Sequence, residues 1–285
     1  MAVLWVGERC LPPWGFTLEF VQFRATSRIF VQESRMLTRE RKALIQQVLR
    51  QEGRLVAKTF SQQLGVSEDT IRRDLRELAA DGVLQRVHGG ALPASAAVAD
   101  YAKREEASTA SKMALGRAGA RLIQPGQIVF LDGGTTNVQL VRQLPKDLAI
   151  TVVTHSPNIA VALVEHPLID VELIGGRLFK HSIVTLGAAC AEAIARVRVD
   201  SYFMGVTGLH PETGATTGNG EEAAIKRIIS RQAAETFVLA TREKLGAASP
   251  YGIIPLADVS TLITDAAPDA EVLGALSAAM SVIHA

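Results

Sequence analysis

Two short stretches carry side chains whose types and spacing could do chemistry. The first is SEDTIRRDLREL, residues 67–78, where Arg72, Arg73 and Arg76 follow a Ser-Glu-Asp start. Guanidinium groups presented together pair with phosphates and make bidentate contacts with guanine edges. The second is DGGTTN, residues 132–137, in which a Gly-Gly pair follows an apolar run and precedes two hydroxyls. The N–H groups of Gly133 and Gly134 at a helix start, with Thr135 and Thr136 beside them, make a cradle for an anion such as a phosphate. Asp132 would repel that anion, yet it could accept hydrogen bonds from sugar hydroxyls.

The arginines need a helix that turns them outward. From Thr38 the residues Leu44, Ile45, Val48 and Leu49 share one helical face, and Gly53 stops that helix. A shorter helix follows with Phe60 and Leu64 four apart, ending in the turn Gly65-Val66. Ser67 is an N-cap, and Glu68 and Asp69 lie in the first turn, where acids favour the helix dipole. In the third helix Ile71, Leu75 and Leu78 form the packing face, and Arg72, Arg73 and Arg76 point away from it. After Gly82 the run VLQRVHGGAL predicts a small β-wing that carries Arg86 and His88. Two short helices, a turn, a capped basic helix and a wing predict a helix-turn-helix whose last helix enters the major groove of double-stranded DNA. The expected DNA contacts are Ser67, Thr70, Arg72, Arg73, Arg76, Arg86 and His88. A merely solvated helix would carry the same arginines, answered at helical spacing by Asp74 and Glu77.

Charge is distributed accordingly. The chain has 285 residues and a formal charge of +1, but residues 1–99 hold 14 Lys and Arg against 10 Asp and Glu, while residues 100–285 hold 16 against 19. Hydrophobic residues at 48% and charged residues at 21% describe a globular chain and exclude a mainly disordered one. Cys10 and Cys190 form no CxxC or Cys/His cluster, so neither a disulfide scaffold, a metal site nor a cofactor is expected, and a reducing cytoplasm fits. No run approaches the roughly 18 apolar residues of a membrane span. Residues 1–36 hold both tryptophans without a clear period and read as an extension, either disordered or an over-called start with Met36 as the natural beginning.

The cradle needs a sheet. Beyond the DNA-binding segment, residues 37–92, the small-residue run LPASAAVAD opens a linker spanning 93–107, and a domain of 108–285 follows. A helix is expected from about Ala102 to Ile123. Apolar runs at 128–131, 150–153, 171–174, 201–206, 236–240 and 261–264 then alternate with helical stretches, which predicts an α/β domain with a largely parallel sheet. Ligands bind outside the carboxyl ends of such strands. The loops there hold Thr154 and Ser156 in THSPN, then Gly175, Gly176 and Arg177, then Asn219 and Glu221 opening a helix with Lys226, and finally Lys244 in TREKLG. These residues are expected to converge on one anion-binding rim. Each has a plainer use, since a Gly-Gly pair also makes a tight turn and helix lysines are ordinarily solvated.

The run RKALIQQVLRQEGRLVAKTFSQQLGVSEDTIRRDLRELAADGVLQRVHGGA resembles the DNA-binding domain of the deoxyribonucleoside-regulator (DeoR) family of bacterial repressors, including its TIRRDL core and R-x-H-G-G-A close. The resemblance extends from Leu37 to Asp265. DGGTT is similar to the family's D-S-G-T-T, THS to T-N-S, DSYFMGVTG to D-x-x-F-x-G, NGEEAAIKR to N-x-x-E-A-x-x-K-R and VLATREKLG to V-L-A-D-x-S-K-F-G. Gly133, His155, Thr241 and Glu243 depart from that pattern, and Thr241 removes a carboxylate from the expected ligand rim. The resemblance implies a winged helix-turn-helix joined to an α/β sensor domain like the sugar-phosphate isomerases and CoA transferases. It also implies a homo-oligomer whose phosphorylated sugar effector controls operator binding, without catalytic residues. The competing reading is an enzyme with a DNA-binding head, for which Asp132, Asp200, Glu221, Glu222 and Lys226 supply acid, base and cation types. A structural DNA-binding protein without a ligand is a third.

Overall fold

The computed structural model describes residues 36–95 and 101–285. The expected extension and the middle of the expected linker lie outside the described residues. The N-terminal part comprises α1 (Thr38–Glu52), β1 (Leu55–Val56), α2 (Ala57–Leu64), α3 (Glu68–Ala80), β2 (Leu84–Val87) and β3 (Gly90–Pro93). Gly53, at φ +67, ends α1, and the Oγ of Ser67 accepts the Thr70 N–H at 3.2 Å to begin α3. Ile71, Leu75 and Leu78 are buried against Ile45, Leu49 and Phe60, and full burial of each such side chain contributes about 1.5–3 kcal/mol. The wing is three-stranded, because β1 pairs antiparallel with β3. That pairing is close: a Cβ on Gly90 would stand 1.8 Å from the Leu55 carbonyl oxygen.

The plainer reading of this helix, a solvated one with its arginines answered by Asp74 and Glu77, is not what the packing shows. Asp74 does not answer the arginines of its own helix. It is buried and turned inward to α1, where Arg41 donates through Nε to Oδ2 and through Nη2 to Oδ1 at 3.1 Å. Glu77 likewise reaches α1, pairing with Lys42 at 2.7 Å. The acids of α3 therefore hold two helices together and leave its outer face basic.

The C-terminal part continues with α4 (Tyr101–Glu106), α5 (Thr109–Ala120), β4 (Ile128–Leu131), α6 (Thr135–Arg142), β5 (Ile150–Thr154), α7 (Pro157–Leu163) and β6 (Ile169–Leu173). Then come β7 (Arg177–Phe179), β8 (Val184–Leu186), α8 (Ala188–Ala195), β9 (Val199–Gly205), β10 (Gly208–His210), β11 (Gly214–Thr217), α9 (Gly220–Gln232) and β12 (Ala233–Leu239). The chain closes with β13 (Tyr251–Ile254), β14 (Thr261–Thr264), α10 (Glu271–Ser277) and β15 (Ser281–His284). The single helix expected over 102–123 is broken at Ser108, whose φ of +52 is left-handed and whose carbonyl starts α5.

Seven parallel strands form the central sheet in the order β15-β14-β12-β9-β4-β5-β6. Alternate residues feed opposite faces: Val129 and Leu131 pack with α5, α6 and α7, while Phe130 packs with α8 and α9. The winding direction reverses between β4 and β9. That reversal opens a crevice at the carboxyl ends of those two strands, the place where open α/β sheets bind ligands. A hairpin, β7-β8, and a small antiparallel sheet, β10-β11-β13, stand beside it. No described helix is long and apolar enough to cross a membrane.

The wing and the C-terminal part touch. At the end of β3 the Pro93 carbonyl accepts the Ala248 N–H at 3.2 Å, Ala94 bridges Ala248, and the Ser95 hydroxyl donates to the Thr207 carbonyl. Arg54 and Glu212 add an exposed ion pair at 2.7 Å.

Candidate functional site

The basic face of α3 is built as expected. Arg72, Arg73 and Arg76 are exposed on the face opposite the core, with Ser67 and Thr70 at its amino end, Arg86 exposed on β2 and His88 exposed in the wing turn. The three arginines differ in state. Arg72 is engaged by Glu68 at 2.7 Å, whereas Arg73 and Arg76 form no ion pair among the described residues. Two guanidinium groups are thus available to an incoming phosphate or base edge.

The second site is a cavity of about 620 Å³ at the β4–β9 crevice. Gly133, Gly134, Thr135 and Thr136 line it at the start of α6, where Gly134 at φ +122 has a conformation that side chains avoid. Asn219, which caps α9, Lys226 on α9 and Lys244 after β12 also line it. Seven of the residues singled out from sequence are therefore brought together. Seven others do not line the cavity, Asp132 and Glu221 among them. Thr154 is buried and donates to the Leu131 carbonyl at 2.7 Å, and Ser156 donates to the Ile183 carbonyl at 3.0 Å. Gly175, Gly176 and Arg177 lie at the base of the β7-β8 hairpin, where Arg177 pairs with Glu221 in solvent.

Asp132 lies beneath the cavity rather than in it. Its Oδ1 accepts from the Gly133 N–H at 2.8 Å and from His155 Nε2 at 2.9 Å. Its Oδ2 accepts from the Tyr202 hydroxyl at 3.0 Å, the Gly205 N–H at 2.9 Å and Lys226 Nζ. Five donors fill the carboxylate, so no lone pair remains for a sugar hydroxyl. Burial alone would push this carboxyl up, but Lys226 and His155 outweigh it and hold it well below the usual range. The imidazole of His155 contacts the Thr185 carbonyl through Nδ1 at 3.0 Å and the carboxylate through Nε2. Both partners only accept, so both ring nitrogens must donate and the ring is cationic. Burial opposes that charge, but Asp132 prevails and the pKa rises to about 9. Lys226 is lowered by burial and raised more by Asp132 and Glu222, and it also donates to the Gly205 carbonyl at 2.9 Å. Glu222 completes the floor by accepting from Thr217 at 3.2 Å.

Sequence reasoning missed much of the wall. Arg104, Ser108 and Lys112 come from the stretch read as linker and helix, His181 and Ser182 from the β7-β8 turn, and Arg242 and Glu243 from the turn after β12. A signal existed for the first group, because Ser108-Thr109 is a helix start that divides α4 from α5. Thr241, expected on the rim, is buried behind it with its hydroxyl unpartnered among the described residues. Cations outnumber acids in the lining: Arg104, Lys112, Lys226, Arg242 and Lys244 against Glu222 and Glu243. Burial, with Arg104 and Lys112 adding repulsion, lowers Lys244 to about 8. A counter-anion would relieve that repulsion. Among the enzyme candidates, Asp200 accepts the Ile128 N–H at 2.8 Å at the amino end of the strands, opposite the cavity.

A family model described as DeoR-like helix-turn-helix domain matches residues 41–96, and one described as DeoR C terminal sensor domain matches residues 107–266. This chain belongs to the DeoR family of transcriptional regulators. The HTH-type transcriptional regulator GlpR of Haloferax volcanii is 36% identical over 83% of this DeoR-family chain and 93% of its own. The HTH-type transcriptional repressor GlcR of Bacillus subtilis is 33% identical over 82% and 91%. Among solved structures, a ribose 5-phosphate isomerase from Methanocaldococcus jannaschii aligns with 47% of this chain and 52% of its own, at 19% identity and a TM-score of 0.34. The DeoR-family assignment joins a DNA-binding head and a sensor domain in one chain, in the order in which the two sites occur.

Proposed function

We propose that this protein is a cytoplasmic repressor of a sugar-catabolic operon, that its cavity takes a phosphorylated sugar, and that occupancy changes its affinity for operator DNA. The observation that carries this reading is the cation-rich cavity at the sheet crevice, reached by the glycine-rich start of α6, in the same chain as an outward-facing arginine helix. A phosphate fits the excess of cations and the backbone N–H groups of the first turn of α6, beyond Gly133, whose own N–H is spent on Asp132; the hydroxyls and carboxylates around them fit a sugar. The filled carboxylate of Asp132 speaks against an acid–base role for that residue and so for regulation over turnover. A homo-oligomer is part of the reading, since a dimer sets two recognition helices about 34 Å apart, one turn of DNA or a multiple of it. Arg73, Arg76, Arg86 and His88 are then the DNA contacts.

The test is fluorescence anisotropy with duplexes from the promoter regions flanking the gene, at one fixed salt concentration because phosphate contacts make affinity steeply salt-dependent. A preferred duplex whose affinity one sugar phosphate shifts by about tenfold or more is the expected result, and a smaller differential affinity would not switch a regulator. No preference over random DNA together with turnover of a phosphosugar would replace this reading with the enzyme.

A further inference from the structure

Helix α4 is short, and none of its residues is buried. A helix of this length is not stable on its own, so its persistence depends on what holds its ends. Its carboxyl end is held by Lys112. That side chain is 5% exposed and folds back from α5 to donate to the carbonyls of Arg104 and Ala107. Those carbonyls belong to the last turn of α4 and the residue after it, where a helix lacks internal donors and a lysine is the natural partner. Two weaker ties assist: the Thr135 hydroxyl donates to the Arg104 carbonyl at 3.4 Å, and Arg104 Nη2 donates to the His181 carbonyl at 2.9 Å. Thr135 and His181 both line the cavity.

Lys112 lines the cavity too, and so do Arg104 and Ala107. One ammonium group therefore stands between two kinds of acceptor, the neutral carbonyls that end α4 and any anion that enters beside α6. Charge-assisted hydrogen bonds to an anion are about twice as strong as those to a neutral acceptor. The left-handed Ser108 lies at the junction, so the α4–α5 break is already at a strained position. Chain order does the rest. Residues 96–100 separate Tyr101 from Ser95, and Ser95 belongs to the segment that leaves the wing and touches Thr207, another lining residue.

We propose that Lys112 couples the cavity to the DNA-binding head: an anionic ligand and the carboxyl end of α4 compete for its ammonium group, so that ligand binding loosens α4 and with it the connection to the wing. This rests on the cavity being the site of a phosphorylated ligand. It assigns the response to a residue distinct from the floor, where Lys226 is committed to Asp132, Glu222 and Gly205.

Amide hydrogen exchange on the full chain, followed by mass spectrometry, tests it, with hexose, pentose and triose monophosphates and inorganic phosphate as probes. The expected result is that a compound slowing exchange at 133–137 speeds exchange at 101–107 in the wild type. In Lys112→Met, exchange at 101–107 should be fast without any compound, ligand affinity should fall by about tenfold, equivalent to about 1.4 kcal/mol, and operator affinity should no longer respond to saturating ligand. Protection at 133–137 with unchanged exchange at 101–107 in the wild type overturns the coupling and leaves the ligand site standing; this arm needs no variant to fold. No effect of any phosphate compound at 133–137 removes the ligand reading and the coupling together. A Lys112→Met protein that binds more weakly but responds fully at saturation makes Lys112 an ordinary ligand contact and also overturns the proposal.

Discussion

Asp74 and Asp132 are both buried aspartates at the centre of charged clusters, and the two clusters differ in what they leave exposed. Asp74 has one main partner, Arg41, from a neighbouring helix. The pair fastens α3 to α1, and with Asp74 turned inward Arg73 and Arg76 form no ion pair among the described residues on the outer face. Asp132 has five donors, from β4's own loop, from the loop after β5, from β9 and from α9. It fastens the carboxyl ends of several strands together and makes a neutralised floor beneath a cationic cavity. In both domains the buried carboxylate is spent on groups of the fold itself. The difference is one of scale: one clamp between two helices in the head, and a hub for the whole crevice in the sensor.

The comparison breaks most visibly at Asp132. Asp132→Ala would strand an imidazolium and an ammonium without their counter-charge, and breaking a buried pair of this kind costs about 3–5 kcal/mol. Urea denaturation should show the midpoint falling accordingly, and a midpoint close to wild type would mean that the floor is not an ionic cluster. Asp74→Asn should cost less, about 1–3 kcal/mol, because the amide still presents an oxygen that accepts one hydrogen bond from Arg41. Its loss should also weaken operator binding, since α3 is no longer held at a fixed angle. Arg73→Ala sharpens the contrast: binding should weaken by about 1–3 kcal/mol if the side chain reads a base, with stability changed by less than about 0.5 kcal/mol. Arg72→Ala, measured beside it, should weaken binding less, because Arg72 is already engaged by Glu68.

The smallest effect is on pH dependence. The pKa of His155 is raised from 6.5 to about 9 in the fold, so its contribution to stability is complete below pH 6.5 and is lost as pH rises through 9. Lys244, lowered to about 8, acts in the opposite sense above that pH and shallows the decline. Thermal midpoints from pH 6.5 to 9 should fall in the wild type and fall less in His155→Asn; equal slopes would show that His155 is not charged in the fold.

The sequence was most legible where a local cause decides the structure. Gly53, the Ser67 cap and the Ile71-Leu75-Leu78 face act within one or two helical turns, and the structure follows them. Six apolar runs became strands of the parallel sheet, the inner ones for a similar reason, since a strand covered on both faces is apolar throughout, while β6 at the edge is mostly exposed. What spacing could not show was direction across the core. Asp74 sits at helical spacing from several arginines, yet its partner is Arg41, 33 positions away in the chain. Asp132 looked like a ligand residue because four of its five donors come from distant parts of the chain. The short strands β7 and β11 carry no long apolar run, so the wall that Phe179 and Thr217 build for the cavity, and His181 and Ser182 with them, was invisible.

The saturated floor has a consequence for how such a protein can change. Its hydrogen bonds leave almost no freedom for substitution, because altering Asp132, His155, Tyr202 or Lys226 disturbs the carboxyl ends of β4, β5 and β9 together. The rim is built from α4, the β7-β8 turn and the Arg242–Lys244 turn, short segments that pack on little else. A lineage can therefore exchange rim residues and acquire a new effector while inheriting the fold and the DNA-binding head intact.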